Sequence, residues 1–426
     1  MPFQIIGNAD RDRIYCAGSF TKLLTTFVSL SLLSEQYAIY AILDDENFFD
    51  TLCQEPEAKA FLQLFQRLVG KPFSLHDVCS FYLGLPYTFN LAKDELQQVE
   101  SGQPFKHHCI PDEKTLLARC HENIVPVYPP HAKFHYSEIG IIFLGYLLEK
   151  VYNIEIESLY QRFLIEKFQL KNSRFSRKRV PLVHIHDYSD KYDYPSIAIL
   201  DHGYFCYSNG FYTTLNDMKT MLDALLQEPV FKIMTDIKIA RAASNRLLNG
   251  LTVEMRLQGS DIVYGYEGLS FSGCNIWAYS TERQTGYLTL CDSEEEAYTL
   301  IYNEQLGYPD SDKVPDDTQV LYKNFLQEPH APIEMKAIPE AYQGQYHRVN
   351  INESTLTDIF TVGDHFIVIR NPDTVRYEIA YANGHYAVLG ADKLTGIIVD
   401  FYEAPSGNRY MLFDGTLYER NASPAI

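Results

Sequence analysis

Apolar residues recur at helical spacing in two stretches of the chain. Phe20, Leu23, Leu24 and Phe27 fall on one side of 19–33, and Ile139, Ile142, Phe143, Tyr146 and Leu147 fall on one side of 139–151. A stripe at three- and four-residue intervals is what a helix lays against a core. Ahead of the first stripe, residues 14–17 predict a short strand that runs through Gly18 into a helix beginning at Ser19. Residues 262–264 and 275–279 predict two further strands flanking a glycine-rich turn. After about residue 340 the period changes to two. The segments 364–370 (DHFIVIR), 385–389, 396–401 and 409–413 are rich in branched and aromatic residues and bounded by Gly, Asn, Asp or Pro, the pattern of a small antiparallel barrel or sandwich.

These elements predict an α/β (α+β) domain with helices on an antiparallel sheet, followed by a small all-β barrel-like domain. The Pro- and acid-rich stretch 308–335, with PDSDKVPDD and QEPHAPIEM, suits a connection. The expected boundaries are 1–325 for the first domain, 326–338 for the linker and 339–426 for the barrel. No internal repeat is visible.

Composition narrows the partners. The 426 residues are 46% hydrophobic and 21% charged, which excludes long disorder. With 36 Lys+Arg against 55 Asp+Glu, the formal net charge of −19 disfavours nucleic acid and anionic bilayers and favours neutral or cationic partners. The apolar runs 27–33 and 139–148 are too short to cross a membrane. The start, MPFQIIGNADRDR, lacks the basic and apolar regions of a secretory signal, so a cytoplasmic location is expected, or export by a route that uses no signal peptide. Eight cysteines without a CxxC pair read as thiols of a reducing compartment.

The candidate chemistry begins at Ser19-Phe20-Thr21-Lys22, where a strand enters a helix. A spacing of three puts both functional side chains on one helical face. A serine hydroxyl needs a base within hydrogen-bond reach, which a lysine one turn on supplies, and the helix N-terminus offers backbone N–H groups to an oxyanion. By itself S-x-x-K is also an ordinary helix start with a solvated lysine.

Six blocks in order give the motif company: AGSFTKLLT (17–25), FSLHDVCSFYLGLPY (73–87), FHYSEIGIIFLGYLLEKVY (134–152), FLIEKFQLKNSRFS (163–176), SNGFYTTLNDM (208–218) and YGYEGLSFSG (264–273). In this succession the chain resembles the serine β-lactamase-related family of class C β-lactamases, D-alanyl-D-alanine carboxypeptidases and esterases, with its penicillin-binding-protein-like fold. The resemblance implies Ser19 as acylated nucleophile, Lys22 as its proton partner and Tyr136 as second base, with the backbone N–H groups of Ser19 and Leu269 as oxyanion hole. Substrate would then lie along Tyr266, Glu267, Gly268 and Leu269. A lysine ammonium beside Tyr136 is expected to lower the phenol's pKa and let it relay the serine proton. Tyr207-Ser208-Asn209 competes for the second motif, but Tyr136 precedes the glycine-containing helix that the family pattern requires. No cofactor and no metal are implied.

Three departures shift the expected substrate. Glu138 stands where the family has Asn, and beside Lys22 a carboxylate favours the ammonium form, leaving Tyr136 or Glu138 as base. Tyr266, followed by Glu267, replaces the cation that meets a substrate carboxylate. Only 18 residues precede Ser19, where the family has a helix and a strand hairpin, so another segment has to cover that sheet edge if the chain is not a truncated variant. The expectation is a serine hydrolase or acyltransferase acting on a neutral or cationic small-molecule or peptide acyl substrate, poorly on penicillins. The alternative is a catalytically impaired scaffold that keeps the fold. His184 and His186 alternate as two ligands on one strand face would, but no further ligands are arranged as in a metallohydrolase motif; His107, His108 and Cys109 with Cys120 and His121 have irregular spacing, and both groups read as non-metal. The acidic run 292–296 reads as a solvated helix start. PEAYQGQYHRV (339–349) and the strands after it resemble the lipocalin-like domain often appended in the family, with a shielding or contact role.

Overall fold

The first apolar stripe forms the helix Phe20–Ser34 and the second forms Glu138–Tyr152. Every residue from Phe20 to Leu33 is buried. The structure, a computed structural model, describes residues 2–89, 112–121, 130–131, 134–178, 202–242, 247–258, 261–270, 273–291, 297, 300–301, 305–306, 336–348, 359–371, 373–382, 385–389, 394–403, 409–413 and 416–421. Among them no helix is long and apolar enough to cross a membrane.

In chain order the strands ahead of the barrel are β1 (Phe3–Ile5), β2 (Tyr15–Cys16), β3 (Arg174–Phe175), β4 (Phe211–Thr213), β5 (Arg241–Ala242), β6 (Leu247–Asn249), β7 (Glu254–Gln258), β8 (Asp261–Ser270), β9 (Gly273–Ser280) and β10 (Thr285–Cys291). A seven-stranded sheet runs β1-β10-β9-β8-β7-β6-β5, and a small sheet runs β2-β4-β3. β1 pairs in parallel with β10, so the short N-terminal segment covers an edge that the sequence leaves open. The other neighbours in the large sheet are antiparallel.

Side chains lock the helices onto this sheet. Trp277 of β9 meets Phe20 edge-on at 6.4 Å and Phe3 at 5.9 Å. Behind them Phe143 stacks on Phe65 at 3.8 Å and meets Phe49, Phe61 and Phe73, burying aromatic area that anchors the Glu138–Tyr152 helix. Ser137 caps that helix: its Oγ accepts from Ile139 N at 3.2 Å and donates to Pro86 O at 2.7 Å. The start of the helix is therefore fixed, and with it the position of Glu138.

Two compact units result, one within Met1–Val314 and one centred on Pro315–Ile426. Strands from Gly344–Arg348 to Thr416–Arg420 close into a barrel, each antiparallel to the next and the last pairing with the first. Tyr346, Phe360, Ile367, Ile379, Val399, Met411 and Tyr418 form its core. Of the period-two segments, 385–389 and 409–413 match the strands, 396–401 lengthens to Leu394–Glu403, and 364–370 shifts to Phe366–Asn371. The choice between sandwich and barrel resolves to a closed barrel. Residues 326–335 of the expected linker lie outside the described residues.

Candidate active site

Ser19 is the N-cap of the Phe20–Ser34 helix, at the end of a turn pressed tightly on the sheet. Gly18 has φ +55°, and a Cβ there would stand 2.2 Å from Leu269 O. A Cβ at Gly268 would stand 2.0 Å from Ala17 O. Only glycine fits either position, one for conformation and both for space. Asn275 on β9 stitches the two segments, its Nδ2 donating to Ala17 O at 3.1 Å and to Gly268 O at 2.9 Å. Ser270 Oγ donates to Cys16 O at 2.8 Å. The Ser19 backbone is thus held against the Gly268–Leu269 stretch of β8.

Lys22 is completely buried, and a charge so enclosed needs partners. Its Nζ donates to Ser19 Oγ at 2.8 Å and to Glu138 Oε1 at 3.2 Å, and it lies 5.0 Å from the centre of the Tyr136 ring. Glu138 Oε1 also accepts from Asn209 Nδ2 at 3.0 Å. Asn209 in turn donates to Ser208 Oγ at 2.9 Å. The resulting chain runs Ser19, Lys22, Glu138, Asn209, with every contact at hydrogen-bond length.

Tyr136 borders this chain. Its ring stacks on Tyr87 at 5.8 Å and meets Phe81 at 4.9 Å. Burial pushes its phenol well above the ordinary tyrosine value, outweighing the opposing influence of the nearby Ser19 and Tyr266 hydroxyls, while Glu138 and Glu267 raise it further. The expected lowering by the lysine charge is overturned, because enclosure and two carboxylates outweigh it. Tyr136 is a neutral phenol at rest. Tyr266, across from Trp277 in the sheet register, is also raised, chiefly by burial and then by Tyr136. Its hydroxyl has no hydrogen-bond partner of good geometry among the described residues, although it is close enough to Tyr136 to interact. Tyr87, 44% exposed, is raised chiefly by the neighbouring Glu138 carboxylate. Glu267 acts on all three tyrosines, so the surroundings of Ser19 are aromatic and acidic. Leu269 is 49% exposed beside it.

Ser19, Lys22, Tyr136, Glu138 and Tyr266 thus lie together, with Gly268 and Leu269 against the Ser19 turn. Tyr207 lies elsewhere: its hydroxyl donates to Glu149 Oε2 and accepts from Arg177 Nη2 at 3.1 Å. Asn209, Asn275 and Tyr87 were missed by the sequence reading. Asn209 stood in the discarded Tyr-Ser-Asn triplet, and Asn275 is a polar residue inside the apolar run of β9, which was the available signal. His107, His108, Cys109, His184, His186 and the 292–296 run lie outside the described residues. Cys120 is a buried thiol in the helix Glu113–His121.

A family model described as Beta-lactamase matches residues 5–288. Among solved structures, a D-stereospecific amidohydrolase from Streptomyces sp. aligns with a TM-score of 0.53 at 16% identity, covering 71% of this chain and 90% of that one. The octameric penicillin-binding protein homologue from Pyrococcus abyssi aligns with a TM-score of 0.52 at 16% identity, covering 97% and 89%. SurE with D-Leu aligns at 0.56 and 12% identity, covering 97% and 88%. At such identities the likeness is one of fold. No curated protein matches the sequence.

Proposed function

Since this chain belongs to the beta-lactamase family, we propose that it is a serine hydrolase or acyltransferase working on an ester or amide through an acyl-Ser19 intermediate. The observation that carries the reading is the 2.8 Å hydrogen bond between Lys22 Nζ and Ser19 Oγ inside a buried site. Ser19 Oγ attacks the acyl carbonyl while its proton passes to Lys22 and one from Lys22 passes to Glu138. The N–H groups of Ser19 and Leu269 receive the oxyanion. Tyr136, a neutral phenol, protonates the leaving group. In the second half water or another acceptor gives its proton to the Tyr136 phenolate, and Ser19 recovers its own from Lys22 as Glu138 returns one to the lysine.

Tyr266, Glu267, Gly268 and Leu269 line the substrate in this reading. Acidic, aromatic surroundings disfavour a substrate carboxylate and suit neutral or cationic acyl groups. The likeness of fold to a D-stereospecific amidohydrolase agrees with an amide as one option. We read the barrel as a lipocalin-like module, with 1–325 as the hydrolase domain, 326–338 as linker and 339–426 as barrel.

Intact-mass spectrometry after exposure to a fluorophosphonate probe tests the proposal. One adduct is expected, on the peptide carrying Ser19, and none in Ser19→Ala. The ion pair between Lys22 and Glu138 favours a second reading, a scaffold whose lysine is held by its carboxylate. Absence of an adduct under conditions that label a control serine hydrolase selects that reading.

A further inference from the structure

Cys274 on β9 and Cys291 on β10 are direct register partners. They face the same way: Cys291 packs against the apolar cluster that contains Cys274 and Ile276, and its Sγ lies 3.5 Å from Thr289 Oγ1 two residues earlier on the strand. The strands approach closely here, since a Cβ at Gly273 would stand 2.8 Å from Cys291 O. Directly opposed residues of antiparallel strands hold their Cα atoms about 4.5–5.5 Å apart, inside the span of roughly 4.4–6.8 Å that a disulfide bridges. All described cysteines are thiols, Cys274 buried and Cys291 half-buried. Cys291 is therefore the more exposed residue of the pair, and the one a small solute meets first. Cys274 has a second register partner, Leu269 on β8, so the pair stands in one row with the strand that flanks Ser19.

We propose that Cys274 and Cys291 are a redox modification site that closes to a cross-strand disulfide by exchange with a low-molecular-weight disulfide such as oxidised glutathione. The Cys291 thiolate attacks one glutathione sulfur, forming a mixed disulfide and expelling a glutathione thiolate, which takes up the proton Cys291 lost. The Cys274 thiolate then attacks the Cys291 sulfur and expels the second glutathione with its proton. The protein dithiol loses two electrons and two hydrogens, and one glutathione disulfide becomes two thiols. The bond closes the β9–β10 hairpin and ties β10 to the strand next to Leu269. It does not depend on the hydrolase reading.

The full chain is incubated with oxidised glutathione and then unfolded in denaturant containing iodoacetamide, which traps every remaining thiol, and peptides are mapped without reduction. The expected product is one cross-linked pair joining Cys274 and Cys291, at least about tenfold in excess of the mixed disulfide because the second thiol is held in place. Dithiothreitol reverses it, Cys291→Ser lacks it, and oxidised wild type melts several degrees above reduced wild type. A stable glutathionyl group on Cys291 with Cys274 still open to alkylation overturns the proposal. So does a bond from Cys291 to any other cysteine. Should Cys291→Ser fold poorly, Cys291→Val keeps strand preference and buried volume, and the wild-type peptide map decides without either variant.

Discussion

Tyr136-Ser137-Glu138 and Tyr207-Ser208-Asn209 are near copies in sequence, and the fold uses them differently. Tyr136 lies beside Lys22, its ring centre 5.0 Å from Nζ, and near enough to Ser19 to feel its hydroxyl. Tyr207 fills the space that a side chain at Gly145 would need, 2.3 Å from the position of its Cβ, and its hydroxyl is occupied by Glu149 and Arg177. Ser137 caps a long helix, whereas Ser208 Oγ donates back to Phe205 O within the short helix Cys206–Asn209. The third residues then meet, Asn209 Nδ2 on Glu138 Oε1. Helix position decides the roles: a triplet at a helix start projects its carboxylate to Lys22, while a triplet inside a buried turn spends its tyrosine on packing and keeps only its last side chain for the site.

The sharpest way to break this comparison is to remove one hydroxyl at a time. Ser19→Ala abolishes covalent labelling and any turnover of short-chain aryl esters while folding persists. Tyr136→Phe is expected to slow labelling by at least about a hundredfold, the scale of a lost proton-transfer group. Tyr207→Phe leaves the rate within a few-fold but lowers stability by about 1–3 kcal/mol, because Glu149 and Arg177 lose a buried partner. Labelling kinetics and denaturant melts on the three variants separate the roles. A damaging Tyr207→Phe with an innocuous Tyr136→Phe would exchange the two triplets.

Glu138→Gln tests the third residue. The change keeps shape and removes the charge that Lys22 and Asn209 both address. If Glu138 takes the proton that Lys22 hands on, labelling falls by about tenfold or more. Faster labelling in this variant would instead make Glu138 a brake on Lys22 and favour the scaffold reading. Stopped-flow rates with a single probe give the sign directly.

Local periodicity made the helices Phe20–Ser34 and Glu138–Tyr152 legible, and alternation made the barrel strands legible, because each pattern follows from one element meeting one core. The Ser19, Lys22 neighbourhood was legible for the same reason, three residues apart on one helix. Asn209 was not, since it reaches Glu138 across 71 residues of chain. Asn275 was equally hidden: its stitching of Ala17 O to Gly268 O depends on the register of β8 against β9. The direction of the Tyr136 shift also escaped the sequence. A neighbouring lysine is visible in a motif, but enclosure by Phe81, Tyr87 and Tyr266 exists only in the fold.

That shift makes a smaller, pH-dependent prediction. A phenolate base would raise the labelling rate steadily from about neutral pH to about pH 9 as it ionised. With Tyr136 raised by burial, no such rise from this residue is expected over that range. The sign for stability follows: Tyr136 and Tyr207 both have folded values above the ordinary one. Their contribution is complete below the unfolded tyrosine value of about 10 and is lost as pH climbs through the folded values. Alkaline melts should therefore soften above about pH 10, and Tyr207→Phe should flatten that loss. A steep gain in labelling below pH 9 that Tyr136→Phe removes would show a phenolate after all.

Asn209→Ala should have the smallest effect, because Glu138 Oε1 keeps Lys22 as a donor when the amide is gone. The position of Asn209 is only partly buried, so water can take the place of Nδ2 at modest cost. A loss of about three- to fivefold in labelling rate is expected, well under 1.4 kcal/mol of barrier, with the melting temperature nearly unchanged. Asn209→Asp distinguishes positioning from packing: it conserves volume but sets a second carboxylate against Glu138, and like charges at that distance disfavour the arrangement around Lys22. The aspartate variant should therefore label more slowly than the alanine variant although it is the closer isostere. Equal rates for the two would mean that Asn209 only fills space, and the meeting of the two triplets at Glu138 would have no part in the chemistry of Ser19.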